Sequence, residues 1–234
     1  MRNSWTERLW ADVVPIYDAI LAHPFLRGLT SGDLPVDRFA FYVAQDAHYL
    51  RDYARALAVV GAKAPTHADA GMMARHAAAT VDVELGLHES LLPRVGLAHA
   101  DLARIPVSPT TLGYTSYLLA TAYGGGFAEG LAAVLPCYWI YARVGAALVD
   151  RGSPDDRYRA WINTYAGSEF ADVVAEVLAL ADRVGPQLSH DEAVRARQHF
   201  AVTSRYEWMF WDAAWRLEAW PFADISTPTG RSAP

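Results

Sequence analysis

Apolar residues recur along this chain with a helical period. Trp5, Leu9, Val13, Ile16, Tyr17 and Ile20 fall on one stripe, which predicts a first helix closed off near Pro24 and Gly28. Asp37 is placed to cap a second helix that runs to about Gly61, and Pro65-Thr66 opens a third that ends near Pro93 and Gly96. The segment Ile105-Pro106-Val107-Ser108-Pro109 reads as a loop. Within it, Ser108 caps a fourth helix and Pro109 suits its first turn. Gly124-Gly125-Gly126 ends that helix. A fifth carries Cys137 and stops before Gly152-Ser153-Pro154. A shorter helix covers Tyr158 to Ala166, another starts at Ser168 and ends near Gly185-Pro186, and Ser189 caps a last long one through Trp215 or beyond. No β-branched alternation suggests a sheet. The connections are short, so consecutive helices are expected to pack antiparallel. Neither an internal repeat nor a shift in composition marks a second domain. The expectation is an all-α, single-domain helical bundle over residues 1–225, followed by a small, polar, disordered tail over 226–234.

Composition narrows the classes open to such a bundle. At 234 residues, 53% hydrophobic and 20% charged, the chain can bury a sizeable core. The net charge of -6, with Lys63 the only lysine, disfavours a nucleic-acid partner, because neutralising phosphates needs basic clusters. One cysteine rules out an intrachain disulfide framework and fits a reducing compartment. The start, Met1-Arg2-Asn3-Ser4-Trp5-Thr6-Glu7, lacks the apolar run of a secretory signal. No apolar stretch reads as long enough and charge-free enough to span a bilayer. A soluble cytoplasmic protein without a membrane partner is therefore expected.

Several polar groups sit where the pattern demands core. Tyr42, Asp46, Tyr49 and Tyr53 share one helix face, and a carboxylate in an aromatic stripe is costly unless something satisfies it. Asp46 is then either a structural partner of a tyrosine hydroxyl or helix terminus, or a group that binds a polar ligand. Glu207 lies in Tyr206-Glu207-Trp208-Met209-Phe210-Trp211. It either faces solvent or is desolvated, and desolvation would raise its pKa and suit it to donate a proton. Cys137 lies in Leu135-Pro136-Cys137-Tyr138-Trp139-Ile140-Tyr141. A lone cysteine is commonly a small buried apolar residue. The preceding proline, however, predicts a helix break whose free N–H groups would favour a thiolate. Tyr114, and the pair Trp161 and Tyr165, read equally as amphipathic core or as pocket walls.

Glu84 and His88, at i, i+4 on the third helix, are spaced either as two ligands of one metal or as an ordinary polar pair. His76, Asp82 and Glu89 add to the charge of the same helix. No second matching ligand pair accompanies them. The chain has no Gly-x-Gly-x-x-Gly after a strand, no P-loop and no Gly-x-Ser-x-Gly elbow.

Taken together, four ordered segments resemble the signature of the TenA / thiaminase II family. They are Phe41 to Leu50, Leu135 to Tyr141, Trp161-Ile162-Asn163-Thr164-Tyr165, and Tyr206 to Trp211. His23-Pro24-Phe25 and Glu84-Leu85-Gly86-Leu87-His88 also fit, so the resemblance spans roughly Trp5 to Trp220. It implies a heme-oxygenase-like helical fold assembled as a homotetramer. It also implies hydrolysis of 4-amino-5-aminomethyl-2-methylpyrimidine to the hydroxymethyl pyrimidine, a thiamin-salvage step, with thiamin itself open to the same chemistry. Carried over by position, Cys137 is the nucleophile of the cysteine-bearing branch and Glu207 the proton donor. Asp46 grips the aminopyrimidine, Tyr141 and Tyr165 contact it, and Tyr49 lies near the thiol. Tyr114 and Phe210 line the pocket. No metal or organic cofactor is implied. Two other readings stand beside this one: a metal-dependent oxygenase of the same fold using Glu84 and His88, and a non-catalytic pyrimidine-binding protein. A haem ligand at His23 has nothing near it to mark a haem pocket.

Overall fold

A computed structural model describes residues 4–98, 102 and 104–222, except for the side chains of 83–85 and 87–90. The predicted tail over 226–234 lies outside the described residues, as do the Glu84 and His88 side chains. Every regular element among the described residues is helical: α1 (Trp5–Leu21), α2 (Pro24–Ser31), α3 (Val36–Ala62), α4 (His67–Ser90), α5 (Pro109–Gly124), α6 (Phe127–Leu148), α7 (Asp156–Ala166), α8 (Ser168–Val184) and α9 (His190–Arg216). Short 3-10 turns cover Pro93–Val95 and Gly185–Gln187.

Local chemistry sets the boundaries. The Glu7 amide donates to Ser4 Oγ while the Ser4 amide donates back to the Glu7 carboxylate, a capping box that starts α1. Ser189 and Glu192 repeat the device at α9, and the Thr111 amide donates to Ser108 Oγ at α5. Two expected boundaries move. Pro24 and Gly28 do not merely close α1, because His23 caps a separate α2 through its Nδ1, and Pro24 occupies the first turn where it costs no hydrogen bond. α2 ends at Gly32, whose φ of +82° suits glycine. Asp37 does not cap α3; Pro35 holds that position and Asp37 lies in the first turn, against the positive end of the helix dipole.

α6 is the central helix and packs against α3, α5, α7, α8 and α9. It is long and apolar enough by length and composition to cross a bilayer, which the sequence reading had excluded, yet most of it is buried among these neighbours. Pro136 sits inside it without ending it, so the expected helix break at Cys137 does not occur. The neighbouring helices approach α6 closely at its glycines. A Cβ on Gly145 would come within 2.5 Å of the Tyr165 carbonyl carbon and 2.6 Å of its oxygen, on the last turn of α7. The obstacle is backbone, which cannot swing aside. Gly145→Ala should therefore cost about 1–3 kcal/mol of stability and shift Tyr165. The check is a thermal melt that falls by several degrees; an unchanged melting temperature would contradict the close packing.

Two side-chain-to-backbone clamps fix the loops beside α3. Gln45 donates from Nε2 to the Pro106 carbonyl and accepts from the Ser108 amide, each at 2.9 Å, which pins the segment leading into α5. The Tyr158 hydroxyl donates to the Leu34 carbonyl at 2.6 Å and ties α7 to the start of α3. Both satisfy backbone groups that burial would otherwise leave costly.

Candidate functional site

Five helices converge on a cavity of about 150 Å³. α3 contributes Asp46, Tyr49, Leu50 and Tyr53, and α4 contributes His76, Ala79 and Thr80. Cys137, Tyr138 and Tyr141 come from α6, Tyr165 from α7, and Phe170 and Val173 from α8. The recurrence at i, i+3, i+4 and i+7 explains the set: each helix turns one face to the same point. A larger surface hollow of about 790 Å³ lies between Phe41, residues 105–108 and residues 217–222. Among the described residues its one titratable lining residue, Glu218, is already bonded to the Thr110 amide and hydroxyl.

Of the positions singled out by sequence, Asp46, Tyr49, Cys137, Tyr141 and Tyr165 meet on the cavity wall. Cys137 is partly buried, and the surface it retains opens into this cavity. Burial pushes its thiol well above the ordinary cysteine range. The negative charges of Glu207 and Asp46 push in the same direction, while the neighbouring hydroxyls of Tyr49 and Tyr53 oppose them. The thiolate expected from a helix break is thus corrected: α6 runs unbroken through Cys137, and desolvation dominates.

Asp46 is 3% exposed within this aromatic setting. Its charge raises the pKa of Tyr42, Tyr141 and Tyr165, all of which burial already raises. The Tyr42 and Tyr141 hydroxyls stand 3.0 Å apart and share a hydrogen bond. Tyr165 packs on Tyr141 with ring centroids 4.7 Å apart, and Trp161 backs Tyr165 at 4.8 Å.

Tyr114, Glu207 and Phe210 are not on the wall; they form a layer behind it. The Tyr114 hydroxyl donates to Glu207 Oε1 at 2.6 Å. The Tyr114 ring lies 4.9 Å from that of Tyr49, and Phe210 meets Tyr49 edge-on at 5.7 Å. Glu207 is 2% exposed, not solvent-facing. Burial, set against the Tyr114 hydrogen bond and reinforced by the charge of Asp46, pushes its carboxyl to about 8. Glu207 is therefore protonated at neutral pH, as a proton donor must be.

Sequence reasoning missed part of the wall. Tyr53 reads only as one member of the Asp46 helix face and Tyr138 only as a neighbour of Cys137 in its segment, and neither hydroxyl gives a sign of facing one cavity. His76 read as part of a charged helix. It is 5% exposed, with Nδ1 at 3.1 Å from the Tyr138 hydroxyl and Nε2 at 3.1 Å from Glu176 Oε2. The only available signal was that His76, Ala79 and Thr80 repeat at i, i+3, i+4, the pattern of a buried helix face. Among the described residues, no group of three or more His, Cys, Asp and Glu side chains is arranged to hold a metal ion.

Known proteins resemble this chain over most of its length. A family model described as the TENA/THI-4/PQQC family matches residues 10–217. An aminopyrimidine aminohydrolase of Bacillus subtilis (strain 168) is 35% identical over 206 residues, covering 87% of this chain and 86% of that protein. The solved TenA homologue from P. horikoshii OT3 has a TM-score of 0.84 at 34% identity, over 92% of this chain and 99% of that one. A solved domain of unknown function with a heme oxygenase-like fold, from Shewanella denitrificans OS217, has a TM-score of 0.73 at 17% identity, over 91% and 92% of the two chains. The all-helical, heme-oxygenase-like architecture is thus shared.

Proposed function

We propose that this chain, which belongs to the TENA/THI-4/PQQC family, is an aminopyrimidine aminohydrolase. It hydrolyses 4-amino-5-aminomethyl-2-methylpyrimidine to the hydroxymethyl pyrimidine and ammonia, a C–N bond hydrolysis in thiamin salvage, and the same chemistry cleaves thiamin into its pyrimidine and thiazole parts. The observation that carries this reading is the Cys137 thiol opening into a small aromatic cavity that also holds the Asp46 carboxyl. A flat heteroaromatic ring with polar edges needs aromatic walls and a few aimed polar groups. Tyr141 and Tyr165 supply walls, and Asp46 supplies an acceptor for the amino edge.

The reaction follows from the two reactive groups. The Cys137 sulfur adds to the pyrimidine ring and gives it electron density. The exocyclic amine leaves as Glu207 protonates it, because an unprotonated amine is a poor leaving group. Water adds to the exocyclic carbon, the carbon–sulfur bond breaks, and the ring regains aromaticity. Each proton and electron pair is supplied by side chains and water. Tyr49 stands beside the thiol on the cavity wall and supports the nucleophile, while behind it Phe210 packs on its ring and Tyr114 bonds the Glu207 carboxyl.

The proposal extends to a cytoplasmic homotetramer. The single cysteine is consistent with the compartment. A largely apolar surface hollow lined by Pro15, Ile16, Ala19, Trp208 and Met209, with Arg205 among them, is consistent with subunit contacts.

The direct test follows ammonia release from the aminopyrimidine. Steady turnover is expected, and binding without turnover would identify a pyrimidine-binding protein instead. Asp46→Asn tests the grip on the ring. Losing a charged hydrogen-bond partner should weaken pyrimidine binding by about 10- to 100-fold with the fold retained. Titration calorimetry showing unaltered affinity would remove Asp46 from the binding site.

A further inference from the structure

The edge of a 4-aminopyrimidine carries two groups side by side: an amino group that donates and a ring nitrogen that accepts. Asp46 answers the first, but a carboxylate has no proton to offer the second. A donor for the ring nitrogen must stand beside it. Tyr42 and Asp46 lie one turn apart on the same face of α3, both buried. The Tyr42 hydroxyl meets the Tyr141 hydroxyl at 3.0 Å. Tyr141 is on the cavity wall and Tyr42 is not, so Tyr42 stands one layer behind it. Packing fixes the Tyr42 ring. Phe25 lies 5.4 Å away, Phe210 and Trp161 meet it edge-on at 5.6 and 5.9 Å, and Phe39 stacks at 6.2 Å. With no exposed surface and rings on these sides, it cannot turn without displacing core. Burial raises the pKa of both tyrosines and the charge of Asp46 adds to the rise, so both hydroxyls keep their protons at neutral pH.

We propose that Tyr42 is a positioning residue for substrate recognition: it holds the Tyr141 hydroxyl beside Asp46, so that the two present a donor next to an acceptor to the ring-nitrogen and amino edge of a 4-aminopyrimidine. Either hydroxyl of the tyrosine pair can donate to the other. A ring nitrogen in the cavity settles the order: Tyr141 donates to it, and the bond behind then runs from Tyr42 to the Tyr141 oxygen. Two hydroxyls in series polarise each other, which strengthens the outer donor. No proton is transferred and no covalent bond changes. Tyr42 acts through Tyr141 and does not touch the ligand. The site thus selects for a ring nitrogen next to the amino group, not only for a flat aromatic ring. A carbocycle of the same shape leaves the Tyr141 donor facing C–H, which a buried site tolerates poorly.

This inference rests on the aminopyrimidine reading of the site, but its test measures binding alone. The two probes are the hydroxymethyl pyrimidine and its benzene analogue, in which C–H groups replace both ring nitrogens. Titration calorimetry should show wild type preferring the pyrimidine by about tenfold or more. Tyr42→Phe keeps the ring and its packing. It should weaken pyrimidine binding about tenfold and leave the benzene analogue within twofold of wild type. Tyr141→Phe should lose the same preference, and the double variant should bind the pyrimidine no more weakly than Tyr141→Phe alone. A tyrosine that merely fills the core would weaken both ligands alike and add to Tyr141→Phe. Tyr141→Phe remains informative if Tyr42→Phe folds poorly, because a preference that survives it overturns the inference. So do equal losses for both probes in Tyr42→Phe, no loss for either, additive effects in the double variant, or a wild type that does not distinguish the probes. A Tyr42-dependent preference in a protein that releases no ammonia from the aminopyrimidine keeps the recognition and overturns the reaction. Steady ammonia release with binding indifferent to Tyr42 does the reverse.

Discussion

Cys137→Ser is expected to lower turnover of the aminopyrimidine by about a thousandfold or more while leaving the protein folded. The substitution exchanges sulfur for oxygen at nearly constant shape, so the walls made by Tyr49, Tyr53 and Tyr141 stay in place. The chemistry changes far more than the shape. Burial already pushes the Cys137 thiol well above its ordinary range. A hydroxyl starts several units higher and is a weaker nucleophile, so the same cavity cannot ionise it. Binding should persist, because Asp46 and the tyrosines that hold the ring are untouched. The result to look for is a collapse in kcat with pyrimidine affinity within about threefold of wild type. Unchanged turnover would remove the nucleophile and, with it, the addition step. A thermal melt within a degree or two of wild type separates lost chemistry from lost structure.

The helices were legible because their stripes and caps are local. Trp5 to Ile20 repeat at helical spacing, Ser108-Pro109 and Ser189 signal starts, and Gly124-Gly125-Gly126 signals a stop. Each of those features acts within a few residues, and each matches an observed boundary. Asp46 and Glu207 were legible for a related reason: a carboxylate inside an aromatic stripe breaks a local pattern. What local pattern cannot carry is which stripes face one another. Tyr53, Tyr138 and His76 break no rule on their own helices, and their shared cavity exists only through the packing of α3, α4 and α6. Pro136 misled for a similar reason. A proline costs an isolated helix one hydrogen bond and some bending, but α6 is held by neighbours on several sides, which outweigh that cost. The environment of the Cys137 sulfur is therefore set by tertiary burial rather than by a local helix end. The layer of Tyr114, Glu207 and Phe210 behind the wall was likewise invisible, because a stripe gives a direction and not a depth.

Glu207→Gln should separate catalysis from stability in opposite directions. Glutamine keeps the shape of a protonated carboxyl but cannot give up a proton, so loss of general-acid assistance should lower turnover by about 10²- to 10⁴-fold. Cys137 alkylation at neutral pH should hold or rise slightly, because Glu207 is already uncharged there and its charge is what opposes the thiolate. Stability should move the other way at high pH. The folded carboxyl titrates near 8, against 4.5 when unperturbed. Below 4.5 both folded and unfolded forms carry the proton, and folding pays nothing for it. As pH rises from 4.5 to 8 the unfolded chain releases that proton while the folded protein retains it, so stability falls. The loss levels off above 8 at about 4–5 kcal/mol. Glutamine has no such titration. Denaturant unfolding should show the variant close to wild type at pH 5 and more stable than wild type by several kcal/mol at pH 9. Wild-type turnover should also decline as pH rises through about 8, where Glu207 loses the proton it must deliver. If the two proteins respond to pH in parallel, Glu207 does not carry its proton at neutral pH, and the proton donor must be sought elsewhere in the layer behind Tyr49.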